Sequence, residues 1–83
     1  MMPGDLTSVF HAVVALYATP KLTLDRPGLP TVVYGEVVLL ISSAYELTEI
    51  DCRRMWFVIS SGGKLGWIYE HNLNKHLVRR GDI

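Results

Sequence analysis

His11, His71, His76 and Cys52 are the residues whose chemistry could do most, since imidazole and thiolate both bind transition metals and can pair as base and nucleophile. Their spacing argues against both uses. The interval between His71 and His76 fits no common ligand pattern, and one cysteine is too few for a structural zinc set. A nucleophile also needs a base in reach and a third group to orient it, and no such constellation can be read. No metal, cofactor or catalytic residue is expected, and the chain reads as a non-enzyme. Ser60-Ser61-Gly62-Gly63-Lys64 has the outline of a phosphate loop. It lacks the first glycine at the required interval and the hydroxyl residue after the lysine, and no helix follows. A hairpin turn is the better reading. Arg53-Arg54 and the tail residues Lys75, Arg79 and Arg80, with Trp67 and Tyr69 nearby, could hold nucleic acid by phosphate contact and base stacking. Against this stands a balance of eight basic and eight acidic residues. Phosphate-gripping proteins usually carry a basic excess. Glu46, Glu49 and Asp51 also lie close enough to Arg53-Arg54 to cancel them. A nucleic-acid accessory role is the second reading.

The elements that must position these residues are short strands. Eighty-three residues allow one domain with one core. The expectation is a single domain over 1–83, its core over about 9–78, with extensions at 1–8 and 79–83. Apolar runs rich in β-branched and aromatic residues recur between Gly, Pro and Ser. They predict strands over 9–17, 36–42, 55–60 and 65–69, and a last short strand over 74–78. Residues 21–33 read as a long irregular loop stiffened by Pro27 and Pro30, and 45–51 as an acidic connection or short strand. The Gly62-Gly63 pair between apolar runs signals a tight hairpin, which needs positive φ. The fold class is therefore all-β, with five to six short antiparallel strands.

A single cysteine permits no internal disulfide and favours a reducing, intracellular setting. The start of the chain has no signal-peptide pattern. The longest apolar run, residues 37–41, is far too short to span a bilayer. A soluble, cytoplasmic protein is the expectation. Nearly half the residues are hydrophobic (49%), high for so small a domain. Such a chain packs unusually well or buries surface against a protein partner or its own copy, as in a homo-oligomer.

Ala15-Leu16-Tyr17 resembles the opening motif of SH3 domains. Tyr34-Gly35-Glu36-Val37 is similar to the Gly-Glu-Val strand that follows their long loop. Met55-Trp56-Phe57-Val58, the Gly-Gly turn and Gly66-Trp67-Ile68 are similar to their central hairpin. The resemblance covers residues 15–78 and implies a small SH3-like barrel with a 3-10 turn at 69–73 before the last strand. The opening Pro3-Gly4-Asp5-Leu6 and the late Trp67-Ile68 with Leu73 also resemble small SH3-like proteins carried by phages. By position, the resemblance retains Tyr17 and Trp67 as ligand-face aromatics. It puts Thr19, Met55, Tyr69 and Asn72 where the family has a tyrosine, tryptophan, proline and tyrosine, and leaves Asp25 as the one acid of the long loop. Binding of typical proline-rich peptides is not expected from such a set.

Strand alternation then sharpens the hairpin. If Trp56, Val58 and Ile68 point inward, as the resemblance implies, Met55, Phe57 and Ile59 point outward beside Leu65, Trp67 and Tyr69. A solvated face should carry polar residues there. The expectation is a protein-interaction or assembly module whose partner-binding residues are Tyr17, Met55, Phe57, Trp67, Tyr69 and Asn72. The residues at 36–42 are apolar on both faces and so also call for cover on both.

Overall fold

Runs such as Val37–Ile41 and Met55–Ile59 have no helical spacing, and their β-branched side chains pack well on a pleated surface. They form strands. The structure, a computed structural model, describes residues 1–18, 29–47 and 52–77. It contains six strands in chain order: β1 (Leu6–Ser8), β2 (Val13–Ala15), β3 (Thr31–Val33), β4 (Val37–Leu47), β5 (Cys52–Ser60) and β6 (Leu65–Tyr69). A 3-10 turn, Glu70–Asn72, follows β6 directly. All pairings are antiparallel: one sheet has the order β1-β4-β5-β6, and β2 and β3 form a two-stranded ribbon. No helix among the described residues is long and apolar enough to cross a membrane.

One hydrophobic core lies between sheet and ribbon. The ribbon side supplies Val14, Leu16 and Val32; the sheet supplies Val38, Leu40, Trp56, Val58 and Ile68; Val9 and Leu73 close the end. Short bridges join the two layers. The Tyr17 amide donates to the Trp67 carbonyl (2.9 Å) and the Trp67 amide to the Tyr17 carbonyl (2.8 Å), which occupies the free edge of β6. On the opposite edge, Val9 bridges Leu73. The Asn74 amide donates to the Ser8 carbonyl (2.8 Å), and the buried Thr7 hydroxyl donates to the Asn74 carbonyl (2.7 Å). Both sheet edges are thus engaged, as an aggregation-resistant β protein requires.

The buried indole of Trp56 needs a partner for its one N–H. It finds Glu70 Oε1 at 3.0 Å, which ties the 3-10 turn to β5. Arg54 lies over the same indole, 4.5 Å from the ring centroid, and its Nη1 is 3.8 Å from that carboxylate oxygen.

Several sequence expectations change. The strand expected over 9–17 is only Val13–Ala15, with Val9 and Tyr17 as isolated bridges. Between them the chain leaves one sheet for the other, and the Phe10 amide bonds the Asn72 carbonyl at 2.8 Å. The end of the expected 21–33 loop is a strand, Thr31–Val33, preceded by Pro30, which lends its carbonyl to Leu16; residues 21–28 lie outside the described part. The second expected strand runs on to Leu47 after a register shift between Leu40 and Ser42. A bulge lets one strand serve two regions of a sheet. Residues 6–8, expected outside the core, are the edge strand β1, and Thr7 is fully buried. Residues 74–77, expected to begin a last strand, form none, because the Asn74 backbone is spent on β1 and its side-chain oxygen accepts from the His76 amide (2.9 Å). Val78 lies outside the described residues.

The β5–β6 hairpin keeps its expected place. The Ser60 amide donates to the Lys64 carbonyl (2.8 Å) around a loop in which Gly63 has φ +81°, a left-handed position suited to glycine. Gly62 does not share that conformation. Gly66 is needed for a different reason. A Cβ there would stand 2.6 Å from Leu16 Cβ and 3.1 Å from the Tyr17 carbonyl oxygen, so the bridge that closes the β6 edge leaves no room for a methyl. Gly66→Ala should destabilise the fold by about 1–3 kcal/mol. Gly62→Ala, whose Cβ meets nothing nearer than 3.5 Å, should be nearly neutral. Equilibrium urea unfolding of the two variants checks the contrast.

Candidate functional site

Two rows of large apolar residues cross the side of the main sheet that faces away from the core. Leu6 pairs with Leu39, Leu39 with Ile59, and Ile59 with Leu65, so one cross-strand ladder touches all four strands. Beside it, Phe57 pairs with Trp67, and their rings lie 5.4 Å apart in a tilted arrangement. The neighbours on the other face, Val38, Leu40, Trp56, Val58 and Ile68, are wholly buried core residues. Phe57, Ile59, Trp67, Leu39 and Leu6 are half-buried, and Leu65 is exposed. Leu6, Val37, Leu39 and Ile59 line a shallow apolar hollow of about 250 Å³. The three inter-strand spacings make the ladder about 14 Å long.

The far end of this face is different. Met55, expected to point into solvent, is 0% exposed, and its register partner Tyr69 is only 6% exposed. Alternation places both on the outer face, yet that end is closed. Over Tyr69 lie the Tyr17 ring, edge-on at 6.0 Å, and the Arg53 guanidinium, 5.7 Å from the Tyr69 centroid. The Tyr69 hydroxyl donates to Glu46 Oε2 at 2.8 Å. Met55 is therefore a buried residue, and Tyr69 a satisfied one. Neither offers a surface.

Of the residues singled out from sequence, Phe57 and Trp67 are brought together at the open end. Half-buried Tyr17 sits at the boundary, held to Trp67 by its backbone. Asn72 acts through its carbonyl, on Phe10. Leu6, Leu39, Ile59 and Leu65 complete the patch. Leu6 was missed because its membership depends on β1 pairing with a strand more than thirty residues away in sequence.

The basic residues do not converge. Arg53 and Arg54 point to opposite faces, one onto Tyr69 and the other onto Trp56. Arg54 is held by Glu70 and by Ser43 Oγ (3.4 Å), and its buried Nε has no hydrogen-bond partner. Lys75 is exposed beside the 3-10 turn. Arg79 and Arg80 lie outside the described residues. Lys64 donates to the Thr31 carbonyl at 2.7 Å, which ties the hairpin turn to the ribbon instead of leaving the amine over a phosphate nest. Among the described residues no group of three His, Cys, Asp or Glu side chains is arranged to hold a metal ion, and Cys52 is exposed.

No family model, curated protein or solved structure matches the chain.

Burial, reinforced by the hydrogen bond to Glu46 and its negative charge, pushes the Tyr69 hydroxyl up to about 12. A raised folded-state value favours the neutral phenol. Its contribution to stability is whole below the ordinary tyrosine value near 10 and is lost as pH rises through about 12. Tyrosinate absorbance of the folded protein should remain incomplete at about pH 11. The missing late component should vanish in Tyr69→Phe.

Proposed function

We propose that this chain is a protein-interaction module, an SH3-like barrel in fold, that docks through the open end of its outer sheet face. The observation that carries the reading is the four-strand ladder Leu6, Leu39, Ile59 and Leu65 with the Phe57–Trp67 pair beside it. Aromatic and aliphatic side chains without an interspersed charge form the kind of centre at which interfaces concentrate their energy. The hairpin sequence, the Gly66 close approach and the 3-10 turn after β6 support the SH3-like reading. The closed site at Met55 and Tyr69 supports a ligand other than a proline-rich peptide, since two positions of the usual aromatic furrow are buried here. The absence of a disulfide-capable cysteine pair supports an intracellular, cytoplasmic setting.

The nucleic-acid alternative based on Arg53, Arg54, Lys75, Arg79 and Arg80 has less support, because Arg54 is committed to Trp56 and Glu70.

Light scattering after size exclusion tests the reading. Association that strengthens with concentration, or binding of an apolar-surface dye by the monomer, is expected. Trp67→Ala should weaken either signal. Leu65→Glu, at a position 52% exposed, should lower it at least about tenfold with little change in folding stability, because an unpaired charge in an apolar contact costs several kcal/mol. A monomer at high concentration that binds no dye would overturn the proposal.

A further inference from the structure

Away from the sheet face, three histidines that are distant in sequence line one groove. Its volume is about 600 Å³, and its walls include Phe10, His11, His71, Leu73, Lys75 and His76. The folding that places them together is visible in the backbone: Val9 bridges Leu73, and the Phe10 amide bonds the Asn72 carbonyl. The His11 and His71 rings meet edge to face at 6.4 Å. His71 is stacked on Tyr69 at 5.3 Å, so its orientation is set by a buried ring.

Every ionisable side chain among these walls is a base. Among the described residues, the carboxylates nearest them, Glu70 and Glu46, are already engaged. Glu70, which borders the adjoining hollow with His71 and Lys75, accepts from Trp56 and pairs with Arg54. Glu46 accepts the Tyr69 hydroxyl. One wall is apolar and aromatic. Phe10 is 53% exposed, and its ring lies 5.9 Å from that of Tyr34, which is 64% exposed. An exposed ring pair beside a basic groove offers a stacking platform and oxyanion donors together. The volume suits a ligand of nucleotide size.

We propose that this groove is a binding site for a phosphate ester with an aromatic body, the chemistry shared by a free nucleotide and the end of a nucleic-acid strand. His11, His71, His76 and Lys75 donate to the phosphoryl oxygens, and Phe10 stacks on the aromatic part. The electrostatics of His71 agree with the geometry. Partial burial, and then the positive charges of Arg53 and His11, hold it below the ordinary histidine value. Facing it are Arg53 from β5, Tyr69 from β6, Glu46 behind the Tyr69 hydroxyl, Glu70 on its own turn, His11 from the β1–β2 link, and Lys75 and His76 beyond the turn. A bound anion reverses that repulsion. Binding therefore draws a proton onto His71, and affinity rises as pH falls, by up to about tenfold per pH unit for one coupled histidine.

The groove shares no residue with the sheet face, so this proposal and the interaction module fail separately. The test is histidine ring NMR of the full chain between pH 7.5 and 5.5, titrated with a dinucleotide whose phosphodiester keeps its charge over that range. The expected result is a saturable shift of the His11, His71 and His76 signals, tighter at the lower pH, with the His71 midpoint moving upward. His71→Gln or Lys75→Gln, both at exposed positions, should weaken binding several-fold while the unfolding midpoint stays put. Adenosine monophosphate binding more tightly than the dinucleotide identifies a free nucleotide as the ligand; the reverse identifies a strand. The proposal is overturned if the histidines do not respond, if the two variants bind as the wild type does, or if inorganic sulfate binds as tightly as either nucleotide.

Discussion

The indole of Trp56 is fully buried, and its single N–H has to be satisfied inside the protein. Glu70 meets that need at 3.0 Å, and Arg54 over the indole face offsets the charge this brings in. Much of the remaining geometry follows. Glu70 belongs to the 3-10 turn, so anchoring it fixes the chain immediately after β6. Tyr69 is then held against Tyr17 and Glu46, His71 stacks on Tyr69, and Leu73 reaches Val9 to complete the core. Without that hydrogen bond the turn would be held to β5 by the longer Arg54–Glu70 contact, and the wall shared by the core and the histidine groove would be less firmly oriented.

The outer face of the main sheet shows how one surface comes to have two characters. Its pleat presents Met55, Phe57 and Ile59 on one strand and Leu65, Trp67 and Tyr69 on the next. At one end the Tyr17 bridge, Glu46 and Arg53 surround Tyr69, and Met55 is wholly buried. At the other end no described residue closes the ladder from Leu6 to Leu65 in a comparable way. A single strand alternation therefore yields a sealed satellite cluster and an open apolar patch. The distinction matters for function because only the open part has free energy left to gain from a partner.

Much of the fold was legible in the residues. The β5–β6 hairpin shows in its apolar runs and Gly-Gly punctuation, and β6 has the expected bounds of 65–69. The all-β class and the 3-10 turn also follow the sequence reading. Alternation identified Phe57 and Trp67 as outward neighbours, and the rings do meet. What escaped were the non-local pairings. Leu6–Ser8 is too short to announce itself as a strand, and it becomes one because β4 offers an edge. The apparent strand over 9–17 breaks because Phe10 finds its partner at Asn72. Residues 74–77 stay irregular because the Asn74 backbone serves β1.

The same division holds for the candidate sites. Residue types and their alternation along the chain determined the strand class, the division of the hairpin into two faces, and an excess of apolar side chains for the volume available. Those are local properties, set by propensity and the pleat. That Trp56, Val58 and Ile68 form the inward set came from the resemblance. Whether an outward residue is open or sealed was decided by tertiary structure alone, since it depends on which distant segment arrives above it. Met55 and Phe57 stand two apart on one strand and differ only in that respect. The gathering of His11, His71 and His76 around one groove was decided the same way: a bridge between Val9 and Leu73 brings the two halves of that wall together, and no spacing along the chain records it.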